Sequence, residues 1–359
     1  MAAVVSWKVM IVSFVCGIVA IHEHIGIHTA VADFGPFGVV YGRTGNDIPD
    51  ENAVIELCHK YCLKKIRFLE GNDRLMHALI DQNIAVTIDI KNFRLPAMAY
   101  NNGRDAFDWI NHNVMPFIGK VQIEQIVVGN EAIPGVFSEY VAPAIQNIKN
   151  KLLEQDVSIL LTTAVSTSVL SATFPPSNGA FNNESIQHMT DVIAAMGALY
   201  HKPTLMVNVF PYDYHAAGII RQDFATFTAG KPIFWDGSNG YWNMLDALLD
   251  AFNYALSKAG LFNRNNSGRL SLVVGASGWP SDANGNFTTP ALAATYNENL
   301  MKRLARVQGT PARLAYPVKG FVYALFNENL RLPGPPRHFG LFNTNKTPAY
   351  LFHVPGCSI

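Results

Sequence analysis

The chain has 359 residues, 49% of them hydrophobic and only 15% charged, which is enough apolar content for a large core and excludes disorder. Its 27 basic and 27 acidic residues cancel, so no net field favours nucleic acid or an acidic membrane surface, and neutral ligands or polymers suit it better. The length fits two ordinary domains or one large α/β barrel.

The first element in chain order is a leader. Lys8 closes a mildly basic start, residues 9–21 form an apolar run too short to span a bilayer comfortably, and Ala30-Val31-Ala32 offers a small-x-small cleavage site. These features predict a cleaved secretory signal over residues 1–32 rather than an uncleaved anchor, leaving no integral membrane anchor in the mature chain. Asn183, Asn265, Asn286 and Asn345 head Asn-x-Ser/Thr acceptor sequences, as suits passage through the secretory route. Cys16 leaves with the signal, so Cys58, Cys62 and Cys357 remain as an odd set. Cys58 and Cys62 sit four apart on a predicted helix, where side-chain vectors rarely permit a bridge. A disulfide framework is therefore not expected.

From residue 37 onward, short Val/Ile/Leu-rich runs alternate with amphipathic stretches of helical length. Strands are predicted at 37–41, 65–69, 85–90, 125–128, 160–165, 205–210, 272–275 and 320–326. Their weak polar alternation marks strands buried on both faces. Helices are predicted at 50–63, 104–118, 137–153, 241–259 and 290–307, each bounded by turn residues. Eight such alternations without a linker argue for a single (β/α)8 TIM barrel over residues 33–359. An open doubly wound sheet is the competitor, weakened because no Gly-x-Gly-x-x-Gly follows the first strand.

Chemistry in a barrel gathers at the C-terminal strand ends. Those ends carry Tyr41-Gly42, Asn130-Glu131, Pro211-Tyr212, Ser277-Gly278-Trp279 and Asn327-Glu328-Asn329, a mixture of aromatic faces, amides and carboxylates that suits a sugar. Eleven His residues show no metal-ligand spacing near a carboxylate, so neither metal nor cofactor is expected.

Several of these segments resemble plant endo-β-1,3-glucanases of glycoside hydrolase family 17, from about residue 37 to residue 352. The resemblance rests on Phe37-Gly38-Val39-Val40-Tyr41-Gly42, Val128-Gly129-Asn130-Glu131, Phe174-Pro175-Pro176-Ser177-Asn178-Gly179-Ala180-Phe181, Val207-Asn208-Val209-Phe210-Pro211-Tyr212, Ser277-Gly278-Trp279-Pro280-Ser281, Phe326-Asn327-Glu328-Asn329 and His338-Phe339-Gly340. It implies retaining hydrolysis of a β-1,3-glucan polysaccharide or oligosaccharide by two carboxylates about 5–5.5 Å apart. By position, Glu131 is then the acid/base, Asn130 binds the sugar 2-hydroxyl, and Glu328 is a possible auxiliary carboxylate. Tyr41, Phe181, Tyr212 and Trp279 are placed along the cleft, Trp279 also holding the seventh strand end. Phe210 stands where the family usually has Tyr.

The departure is on the seventh strand. Where the family reads Ser-Glu-Ser-Gly-Trp-Pro-Ser, this chain reads Gly275-Ala276-Ser277-Gly278-Trp279-Pro280-Ser281, so the nucleophile position is Ala276 and the nucleophile is absent. Lys319 likewise stands in place of a family Glu, which implies a charge reversal in the cleft. Losing one member of a cooperating pair costs on the order of 10⁴–10⁶ in turnover, about 5–8 kcal/mol. Two readings follow: a hydrolase with an altered second carboxylate, where Glu328 or an attacking water stands in, or a non-catalytic β-1,3-glucan-binding protein. Either is expected as a secreted monomer of the cell wall, apoplast or vacuole.

Overall fold

The computed structural model describes residues 35–197, 202–262 and 270–358; the expected signal and Asn265 lie outside them. Eight strands form the centre: β1 (Phe37–Tyr41), β2 (Lys65–Phe68), β3 (Ala85–Ile90), β4 (Gln122–Asn130), β5 (Leu160–Ser166), β6 (Thr204–Asn208), β7 (Ser271–Ser277) and β8 (Lys319–Tyr323). All their pairings are parallel, and β8 closes on β1 to make a barrel. The low alternation has its reason here: every residue of β3 is buried, because one face fills the barrel and the other meets helices.

The main surrounding helices are α1 (Glu51–Lys60), α2 (Arg104–Asn113), α3 (Ser138–Glu154), α4 (Ile186–Met196), α5 (Met244–Lys258) and α6 (Pro290–Ala305). Side-chain caps set several starts. Asp50 accepts the Ala53 N–H at the head of α1, and Asn243 accepts that of Asp246 at the head of α5. Thr289 accepts the Leu292 N–H before Pro290, which costs no donor at a first helical position. Each such cap is worth about 1 kcal/mol. The predicted helix 104–118 stops at Asn113, and Pro116 takes the chain into a 3-10 turn at Met115–Phe117. Proline inside a helix would cost a backbone bond and clash with the preceding turn. Among the described residues no helix is long and apolar enough to cross a membrane.

Two features correct the sequence reading. Cys62 and Cys357 form a disulfide across 295 residues of sequence, leaving Cys58 free and buried. Cys58 and Cys62 do not pair, as their spacing predicts, but the C-terminal tail returns to the end of α1 and brings Cys357 to Cys62. Lys319 is also displaced from its expected setting. As the first residue of β8 it pairs with Val273 and is exposed, on the end of the barrel opposite the C-terminal strand ends, so its charge does not enter the cleft.

Candidate active site

The barrel interior ends in a small apolar layer of Val40, Val127, Ala164, Met206, Ala276 and Phe321. Directly above it, the C-terminal strand ends enclose a cavity of about 380 Å³, lined by Ala276, Glu131, Asn130, Asn208, Asp213 and Arg331 among others. Ala276 therefore presents only a methyl group at the cavity floor, with 5% of its surface exposed. The register of β7 skips at this point, Val274 facing Val207 and Ala276 facing Asn208. Gly275 occupies the skip. A Cβ there would lie 2.6 Å from Asn208 Oδ1 and 2.8 Å from an Arg67 nitrogen, so glycine makes room for that pair.

A buried polar network holds the floor in place. Arg67, wholly buried on β2, donates to both carboxylate oxygens of Asp89 on β3, at 3.0 and 2.6 Å. It also donates to Asn130 Oδ1 at 3.0 Å and to Asn208 Oδ1 at 3.4 Å. The Asn208 amide then donates to Asn130 Oδ1 at 3.0 Å and to Glu131 Oε1 at 2.6 Å. Glu131 itself has φ of 53° and gives its backbone N–H to Ala164 O at 2.7 Å. A left-handed glutamate is costly; here it turns the carboxyl out of the β4 ladder and into the cavity. Asn92 brackets the same strand end, accepting the Asn130 N–H and donating to the Asn130 carbonyl, both at 2.9 Å.

Asp213 is the other carboxylate in the cavity. It sits on the short helix Pro211–Ala216 beyond β6, and burial together with the charge of Glu131 raises its carboxyl above the usual aspartate range. Aromatic walls complete the enclosure: Phe210, Tyr323 and Phe339 meet edge to face with centroids 5.3–5.8 Å apart. Burial pushes the Tyr323 hydroxyl up to about 12, with Arg331 pulling against the shift.

The expected site residues divide. Glu131, Asn130 and Ala276 come together around this cavity. Tyr41 lines an adjoining cavity, its hydroxyl buried without a hydrogen-bond partner among the described residues and raised to about 12 by burial. The remaining four do not reach the cavity. Glu328 is 3% exposed and fully engaged, accepting the Thr44 N–H at 2.6 Å and Arg331 Nε at 2.7 Å, so it ties the β1 loop to the segment after β8 rather than serving as a spare carboxylate. Trp279 is wholly buried, donates to Phe287 O at 2.9 Å and packs against Tyr212 and Tyr296; neither face is open to a sugar. Tyr212 is 5% exposed with its hydroxyl accepting from Asn284 at 2.9 Å. Phe181 is buried in a hairpin of Leu170–Ala172 with Ala180–Phe181.

Sequence reading missed Arg67, Asp89, Asn208, Asp213 and Arg331. The first two carried a signal: a charge inside an apolar strand must be paired if that strand is buried.

This geometry invites comparison with known proteins. The family model described as glycosyl hydrolases family 17 matches residues 37–354, nearly the whole described barrel. The chain belongs to glycosyl hydrolase family 17. Among its relatives, a probable glucan endo-1,3-beta-glucosidase of Arabidopsis thaliana is 36% identical over 309 residues, covering 85% of this chain and 87% of its own. A glucan endo-1,3-beta-glucosidase of Pisum sativum is 34% identical over 327 residues, 89% of this chain and 85% of its own. The structure of a beta-1,3-glucanase and allergen of Cryptomeria japonica pollen superposes with a TM-score of 0.81 at 32% identity, covering 88% of this chain and 98% of that one. Within family 17, then, this is a closed eight-stranded barrel of the glucan endo-1,3-beta-glucosidase type.

Proposed function

We propose that the chain binds a β-1,3-glucan across the top of its barrel, and that the two-carboxylate double displacement of its family is closed to it at Ala276. The observation that carries the binding half is a row of three cavities with shared walls. The cavity over Ala276 shares Leu69 and Arg331 with a second of about 110 Å³, which shares Arg43, Glu70, Asn72 and Lys91 with a third of about 720 Å³. Such a succession suits several residues of a polymer better than one small molecule. In the third cavity Phe93 is 62% exposed, an aromatic face available for stacking on pyranose C–H groups. The catalytic half rests on chemistry: a methyl group has no lone pair for covalent attack and no charge for an oxocarbenium ion.

The remaining features suit a secreted protein. The Cys62–Cys357 bond favours an oxidising compartment, and the acceptors Asn183, Asn286 and Asn345 are exposed. In this reading residues 1–32 are removed as a leader and residues 33–359 act as one monomeric barrel.

Calorimetric binding of laminari-oligosaccharides, run beside reducing-end release from laminarin, tests both halves. The natural chain and Ala276→Glu are expected to bind alike, with turnover at least about 100-fold higher in the variant. Equal turnover would overturn the catalytic half, and failure of both proteins to bind would overturn the whole.

A further inference from the structure

The cavity over Ala276 holds a carboxylate that no motif of the sequence indicates. Asp213 lines it together with Glu131, Asn208 and Ala276. Its position is constrained from two sides. Val209 N–H donates to Ala276 O at 3.0 Å, joining the end of β6 to β7, and Asp213 N–H donates to Phe210 O at 3.1 Å as the next turn begins. The charge of Glu131, beyond β4, acts on Asp213, and the charge of Asp213 acts in turn on Tyr296, whose hydroxyl contacts Ser277 Oγ at 2.6 Å on β7. Asp213 thus shares one cavity with the Glu131 carboxyl and with the strand end that lacks one. No hydrogen bond or ion pair to another side chain ties its carboxylate down among the described residues, whereas Glu328 is held by Thr44 and Arg331.

Resting on the glucan-binding reading above, we propose that Asp213 is the second catalytic carboxylate of this site and drives a slow single-displacement hydrolysis. Glu131 gives its proton to the bridging oxygen as the bond from that oxygen to the anomeric carbon breaks. A water seated over the Ala276 methyl forms the new bond to the anomeric carbon from the opposite face and loses a proton to Asp213. Asp213 then releases its proton to solvent while Glu131 takes one up, and the new reducing end appears in the inverted, α configuration. Ala276 contributes by its smallness, because a longer side chain would occupy the place of the water. Asp213, shielded and beside another carboxyl, makes a stronger proton acceptor than a solvated aspartate.

The test is proton NMR of fresh laminarin digests, with laminari-oligosaccharide binding measured on the same samples. The natural chain is expected to release the α-anomer first, slowly but above Glu131→Gln. Asp213→Asn is expected to lose about 100-fold or more of that rate while binding within about threefold, which also shows that it is folded. Ala276→Glu is expected to release the β-anomer first. The proposal is overturned by a β-anomer from the natural chain, by an Asp213→Asn rate equal to it, or by no release above Glu131→Gln. Binding without release sinks the Asp213 mechanism alone, whereas absent binding in every variant sinks the glucan reading beneath it.

Discussion

Arg67 and Asp89 meet through two parallel bonds of 3.0 and 2.6 Å at the wholly buried junction of β2 and β3, and the same guanidinium reaches Asn130 and Asn208. Removing the guanidinium leaves a buried carboxylate unpaired, which typically costs about 3–5 kcal/mol. Arg67→Met is therefore expected to lower unfolding free energy by that amount in chemical denaturation. Arg67→Lys, which cannot offer a planar fork, is expected to fall between the two. Glucan binding should weaken in both, since Asn130 and Asn208 lose a shared donor.

Glu328 holds Arg331 at 2.7 Å beside the cavity. Glu328→Gln retains an acceptor for the Thr44 N–H but loses the charge, so a loss of about 1–3 kcal/mol in stability is expected. Any residual turnover should fall only in proportion to binding. A pure loss of turnover with unchanged binding and melting would instead make Glu328 the missing base.

The Cys62–Cys357 bond closes a loop of 295 residues. A chain-entropy estimate for so long a loop exceeds about 4 kcal/mol. Cys357→Ser should lower thermal stability markedly. Glucan binding at ordinary temperature should survive, because the bond lies past the end of α1 and away from the C-terminal strand ends.

Burial raises the hydroxyls of Tyr41 and Tyr323 from the usual 10.0 to about 12. An unfolded tyrosine loses its proton near 10, while these keep theirs until about 12. The native state therefore holds more protons across that interval, and stability, intact below pH 10, declines as pH rises to 12. Phenolate absorbance should show a late-titrating group in which these two are joined by Tyr140 and by the still more strongly raised Tyr241, Tyr296 and Tyr350, the whole group moving to about 10 in denaturant.

Much of the barrel is legible without the structure. β1 and β3 have the boundaries expected from their apolar runs, because strands buried on both faces leave an unbroken Val/Ile signature. Other ends shift by one to three residues: β4 starts early because Gln122 and Glu124 continue the strand, whereas β2, β6 and β8 end before their apolar runs do. The residue types at the strand ends were equally readable, but their exposure was not. Trp279, Tyr212 and Phe181 look like sugar-stacking aromatics in sequence, yet each is buried, while the cavity walls fall to Phe210, Tyr323 and Phe339. Whether a ring faces solvent depends on how loops fold over one another, and local sequence does not encode that.

By itself the sequence determined the repeating strand–helix order, Glu131 at the end of β4, and the alanine at 276, since each is a matter of residue type and chain position. Only the tertiary structure decided the rest. It placed Lys319 at the far end of the barrel, engaged Glu328 with Arg331, joined Cys62 to Cys357, and set Asp213 in the cavity with Glu131. These partners stand between 3 and 295 positions apart, and parallel barrel closure with its covering loops brings them together in ways that spacing along the chain cannot register.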